Sequence, residues 1–181
     1  IWASGLALGT AGQVVKVNSG ASALEFGTGS KVLGMKCKFN DATTQISSNG
    51  GGDTRDHADI CGGNVLYTPQ STTSKILVSL TSGTVGFADK AAGGFGLSLS
   101  LAQSGGINYT NHYASPYGGY DLNVTGAGYG WDLAISRMDS NSSTNQITVT
   151  GQGYWYDETP DGHASYSKPC LTIIEYEVFD S

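Results

Sequence analysis

The segment Asn108–Tyr120 (NYTNHYASPYGGY) holds the densest recognition chemistry in this chain. Tyr109, Tyr113, Tyr117 and Tyr120 supply flat rings, Asn108 and Asn111 supply amides, and His112 adds an imidazole. Rings that stack on an apolar face, beside amides that bond polar groups, suit binding of a saccharide or a protein. The same composition also suits a tyrosine-rich interface between identical subunits. Two smaller aromatic groups follow, Tyr129–Asp132 and Tyr154–Asp157. Trp131 alternates in phase with Leu133 and Ile135 and reads as core, whereas either Trp155 or its flanking tyrosines could face solvent. The candidate receptor-contacting residues are therefore Tyr109, Asn111, His112, Tyr113, Tyr117, Tyr120 and Trp155.

Catalytic and metal-binding patterns are weak. Asp157, Glu158 and Asp161 could pair as glycosidase carboxylates, but they fall in a Thr-Pro-Asp-Gly turn context that reads as surface loop. No GxSxG elbow and no HExxH motif occurs. The stretch Asn49–Asp59 gathers three aspartates, Arg55 and His57, yet lacks the spacing and closing glutamate of a calcium loop. It reads as a solvated loop with an Asp–Arg pair. His57, His112 and His163 stand apart, with no His-x-His pair, and read as surface or hydrogen-bonded histidines. Cys37, Cys61 and Cys170 form no CxxC pair; one bridge among them is open, and buried thiols are the plainer reading. The expectation is a protein that is not an enzyme and takes no cofactor and no metal.

The elements that must carry these residues are β-strands. Of 181 residues, 39% are apolar and only 13% charged, and 27 are glycine. Glycine at that density disfavours helices, and the low charge with 10% aromatics disfavours disorder. The net charge of −6 and the absence of a basic cluster argue against nucleic-acid binding. No apolar run reaches the roughly 20 residues of a membrane-spanning helix, so no membrane insertion is expected. The first residue, Ile1, reads as the start of a fragment or processed product.

Gln13–Val17 and Ala23–Phe26 read as two short strands about a glycine-containing turn, with glycines on both flanks. Such a hairpin cannot bury a core alone. From Lys31 onward, strands are expected at 31–39, 75–80, 94–102, 120–124, 131–136, 146–150, 154–156 and 171–179. Phe95, Leu97, Leu99 and Leu101 would share one face, and Ile174, Tyr176 and Val178 would share another, opposite Glu175 and Glu177. The polar stretch 41–64 shows no element. Many short strands with glycine-rich turns predict an all-β, jelly-roll-like sandwich at 31–181, preceded by a hairpin at 1–30.

The run Gly9–Gly27 (GTAGQVVKVNSGASALEFG) resembles a repeat common in tail fibre proteins of bacteriophages, notably marine and cyanobacterial phages. There it reads roughly GTAGQVL-x-VNSGAxxLEWG, and Phe26 stands where tryptophan is usual. Trp2 would match Phe26 of an earlier copy, a period of 24 residues. The run Ser167–Tyr176 also resembles the ends of some phage fibre and virion-tip domains; 31–166 carries no such resemblance. The resemblance implies a homotrimer in which residues 1–30 end a fibre shaft and 31–181 form a C-terminal knob. Val15, Val17, Leu24 and Phe26 would then point into a core shared by three chains. Its implied partners are a host-surface glycan or outer-membrane protein, and other virion proteins. A capsid or head decoration fibre, and a polysaccharide-degrading tailspike, are the alternatives. The charge of −6 triples in a trimer, which disfavours a strongly anionic target unless divalent cations bridge.

Overall fold

The computed structural model describes residues 13–17, 20, 24–28, 31–47, 55–88, 93–114, 131–157 and 163–177. Every regular element among them is a strand. β1 (Gln13–Val17) and β2 (Leu24–Thr28) pair antiparallel, Val15 opposite Phe26 and Val17 opposite Leu24. The expected strand at 120–124 lies outside the described residues.

Two further sheets face each other. The six-stranded sheet runs β3 (Lys31–Phe39), β13 (Cys170–Glu177), β7 (Lys75–Ala88), β12 (His163–Ser167), β4 (Thr43–Ser47), with β10 (Trp131–Ser140) along the other side of β7. The five-stranded sheet runs β5 (Arg55–Asp59), β11 (Ile147–Asp157), β8 (Gly93–Gln103), β9 (Asn108–Ala114), with β6 (Val65–Tyr67) also on β11. All pairings are antiparallel.

β7 is long enough to serve two neighbours because it bends. Its first half pairs with β13 and its second with β12. Gly83, at φ 57°, supplies the bend in a conformation that L side chains rarely adopt, and a Cβ there would run into the carbonyls of Ser167 and Lys168. The register with β10 shifts at the same place, where Ser82 and Gly83 of β7 stand against the single residue between Asp132 and Ala134. Inward positions accordingly change parity along β7, from Ile76, Val78 and Leu80 to Val85.

The core lies between the sheets. Phe95, Leu97, Leu99 and Leu101 of β8 face inward, as their alternation predicts. Against them pack Ile76, Val78 and Leu80 of β7, Leu171 and Ile173 of β13, and Ile147, Val149 and Trp155 of β11. Two inward positions of β11 are glycines. At Gly153, a Cβ would strike the ring of Tyr166, which enters from β12 in the opposite sheet. The Tyr166 hydroxyl ends between β11 and β8. It accepts from the amides of Gly96 and Tyr154, each at 3.2 Å, and donates to the carbonyl of Tyr154 (2.6 Å) or Gly96 (2.8 Å). Burial pushes this phenol's pKa well above the ordinary value.

The sequence expectations need two corrections here. The stretch 41–64 contains β4 and β5, short strands whose polar residues hid them. Residues 55–59 are accordingly a strand on β11, not a solvated loop. On β13, Ile174 and Tyr176 share a face opposite Glu175, as the alternation predicts, and the buried face is that of Leu171, Ile173 and Glu175. A carboxylate is tolerated inside because the segment after β6 wraps it. Glu175 accepts from the Tyr67 hydroxyl (2.7 Å), the Gln70 and Ser71 amides (2.9 and 3.1 Å) and the Ser74 hydroxyl (2.6 Å). Gly34, opposite Glu175 on β3, leaves room for that tyrosine hydroxyl. The network continues outward. The Asn141 amide donates to Ser74 O at 2.8 Å, and Gln103 Nε2 donates to Asn141 Oδ1 at 3.2 Å.

Two outcomes follow. Tyr166→Phe strands two amides and two carbonyls deep in the sandwich and lowers unfolding stability by about 2 kcal/mol, read by urea denaturation; unchanged stability would show that the hydroxyl is idle. For Glu175, burial raises the pKa, but the bonds from Ser74, Gln70, Tyr67 and Ser71 outweigh it and hold the carboxyl below its ordinary value. A carboxyl that titrates lower when folded than when unfolded stabilises fully above the unfolded value, about 4.3. That contribution drains away as pH falls through the folded value. Glu175→Gln therefore costs about 3 kcal/mol at neutral pH, and stability curves of variant and parent converge on acidification.

Candidate recognition surface

The outward face of the five-stranded sheet carries the strongest candidate. Tyr154 of β11 sits directly opposite His57 of β5. Tyr113 of β9 reaches the same place, its hydroxyl 3.3 Å from His57 Nε2. The three rings form a cluster: His57 lies 5.6 Å from each tyrosine ring, and the tyrosines meet edge to face at 5.5 Å. Tyr154 is buried at the base, while His57 and Tyr113 are half-buried and reach outward.

A bulge in β9 aims Tyr113. Between Leu101–Tyr109 and Leu99–His112 the register slips by one residue. Asn111 takes up the slack at φ 53°, a left-handed conformation that asparagine tolerates better than most residues. Its amide donates to Ser100 Oγ at 3.0 Å, and its Oδ1 accepts from Ser98 Oγ at 3.3 Å. Alongside runs a shallow groove of about 260 Å³, lined by Ser100, Ala102, Asn108, Thr110, Thr148 and Thr150 among others. Its lining mixes hydroxyls and an amide with apolar surface from Leu101, Ala102 and Tyr109, and Thr150 Oγ1 bonds Asn64 Oδ1 at 3.0 Å. Rings next to hydroxyls and amides can hold a polar, ring-shaped ligand by stacking and hydrogen bonding. Among the described residues no three His, Cys, Asp or Glu side chains gather as metal ligands.

The predicted site residues are thus divided. Tyr113 belongs to the outward cluster. Tyr109 turns toward the core, and the Arg137 guanidinium stands 4.2 Å above its ring centroid. Arg137 in turn pairs with Asp139 at 3.0 Å. The Tyr109 hydroxyl is buried with no hydrogen-bond partner, and its pKa is pushed up to about 12, by burial first and then by Asp139. His112 is half-buried with its ring 6.2 Å from that of Tyr109. Asn111 holds the bulge. Trp155 is 1% exposed and packs in the core, so its ring is not a surface contact. Its phase along β11 explains this: it faces Phe95 across the ladder, inward. Tyr117 and Tyr120 lie outside the described residues, as do Glu158 and Asp161.

Sequence reasoning did not assemble His57, Tyr154 and the groove threonines with Tyr113. The available signal was alternation. Ser98, Ser100, Thr148, Thr150 and Gln152 occupy the positions between inward residues of β8 and β11, which marks that face as polar.

No family model matches the chain, and no curated protein matches it. Among solved structures, dimeric latent PorU from Porphyromonas gingivalis is similar at a TM-score of 0.43 and 14% identity, over 79% of this chain and 12% of that one. The Gx strain of infectious bursal disease virus gives 0.34 and 11%, over 91% and 41%. The VP2 subviral particle of the same virus gives 0.31 and 8%, over 93% and 47%. This chain therefore spans less than half the length of each. The class defined by the described residues is an all-β protein of two facing antiparallel sheets.

One outcome tests the bulge. Asn111→Gly keeps the left-handed backbone and the stability within about 1 kcal/mol, whereas Asn111→Val loses about 2 kcal/mol. Equal losses in thermal unfolding would contradict a conformational role for this position.

Proposed function

We propose that this chain is the adhesive end of a homotrimeric bacteriophage tail fibre, in which residues 1–30 close a shaft and the sandwich meets the host surface. The reading is supported first by the resemblance of Gly9–Gly27 to the tail-fibre repeat. The observation that carries it is apolar surface that one chain leaves uncovered. Val15, Val17 and Leu24 on the β1–β2 ladder are 52%, 58% and 58% exposed. On the outward face of the six-stranded sheet, Met35, Ile174, Leu77 and Met138 lie in one continuous row across β3, β13, β7 and β10. Met35 and Met138 at its ends are more than half exposed. A two-stranded ribbon is marginal alone, and a stripe of this kind marks an interface. Three copies that share these surfaces would leave the opposite sheet, with Tyr113, His57 and the hydroxyl groove, turned outward to a host glycan.

Sedimentation and adsorption test both halves. The full chain is expected to sediment as a trimer and to compete with phage for cells of the adsorbing strain. Tyr113→Ala should weaken that competition at least about tenfold while the trimer persists. A folded monomer at micromolar concentration contradicts the assembly. A trimer that never touches the cells contradicts adhesion and favours a decoration role.

A further inference from the structure

Cys37 and Cys170 lie on neighbouring strands, and they share the outward face of the six-stranded sheet. Cys37 is opposite Thr172 on β13, and Cys170 is opposite Phe39, so the two cysteines are diagonal neighbours on one face. Their sulfurs are 2.9 Å apart, with Thr172 Oγ1 3.6 Å from each. A disulfide needs about 2.05 Å, so the approach still to be made is under an ångström. Cys37 is exposed and Cys170 half-buried. β3, which carries Cys37, is the most solvent-exposed strand of its sheet and forms an edge. Its lysines Lys36 and Lys38 bond the carbonyls of Leu66 and Gly62, and Gln70 Nε2 donates to its Leu33 carbonyl.

We infer that Cys37 and Cys170 are a paired oxidation site, where a small-molecule disulfide closes a covalent staple between the edge strand β3 and β13. The steps balance. The Cys37 thiolate attacks one sulfur of oxidised glutathione, whose S–S bond breaks and releases one glutathione thiolate. The Cys170 thiolate then attacks the Cys37 sulfur of the mixed disulfide and expels the second glutathione. Two cysteines are oxidised by two electrons, one oxidised glutathione is reduced to two thiols, and the two protons lost from the cysteines pass to them. Cys61 stays out: it is fully buried, and its thiol is pushed up to about 12, by burial first and then by Asp59. The staple does not rest on the adhesin reading. It fixes the least buried strand of the six-stranded sheet once the protein leaves a reducing medium.

Refolding the reduced full chain in oxidised glutathione tests this, because oxidation then needs no access to a face that assembly covers. Chain statistics alone would join Cys37 to Cys61, 24 residues away, before Cys170, 133 away. Peptide mapping is expected to show the Cys37–Cys170 bridge within one chain, with the free thiols falling from three to one. The melting temperature should exceed that of reduced protein by at least about 5 °C. In Cys37→Ser the melting temperature should no longer respond to oxidant. A native refolded product that keeps three free thiols, holds glutathione on Cys37 unresolved, or bridges through Cys61 would overturn the assignment.

Discussion

The sandwich depends on one side chain that crosses it. Tyr166 leaves β12, passes the position where β11 has Gly153, and ends with its hydroxyl among the backbone groups of Gly96 and Tyr154. Hydrophobic contact between sheets is non-directional and tolerates sliding. A hydroxyl held by backbone amides and carbonyls of two strands does not, so it fixes the register of one sheet over the other. The second inward glycine of β11, Gly151, likewise leaves space for Cys61 and Leu80. Glycines in the middle of a strand weaken it, and here the room they leave is filled by Tyr166 and Leu80 from the opposite sheet and by Cys61 after β5.

That placement reaches the recognition surface through one strand. Tyr154 is an anchor of the Tyr166 hydroxyl by its backbone and the base of the His57–Tyr113 cluster by its side chain. Trp155, one residue on, faces the core. Strand alternation thus lets β11 lock the interior with one residue and present aromatics outward with the next. At the other end of the sandwich, Glu175 does comparable work with charge. Its carboxylate gathers Tyr67 of β6 and three donors of the segment that follows, and that segment in turn holds Asn141, which accepts from Gln103.

Much of the architecture was legible in the sequence, and the failures have physical causes. Phe95 to Leu101 alternate cleanly because β8 is central and buried against one partner layer. β4 and β5 were missed because Thr43–Ser47 and Arg55–Asp59 are short and polar, and they gain their pairing from β12 and β11. The alternation of β13 was legible, but which of its faces is buried was not: hydropathy alone would put Glu175 outside, and no local signal shows that Tyr67, Gln70, Ser71 and Ser74 converge on it from a hundred residues away. The tyrosine segment was found as a whole but not sorted. A bulge at Asn111 separates Tyr109, which turns inward under Arg137, from Tyr113, which turns outward. His57 joined the cluster only through strand pairing, which spacing in sequence does not encode.

Native-state amide exchange tests the central interlock most directly. If Tyr166 fixes one sheet on the other, the Gly96 and Tyr154 amides that donate to its hydroxyl open only when the whole sandwich unfolds. Their opening free energy should equal that of the most protected core residues, such as Leu99 and Ile173. Exchange at those two amides as fast as along the exposed edge strand β3 would show that the hydroxyl lets go locally, and the interlock would not be what holds the sheets in register.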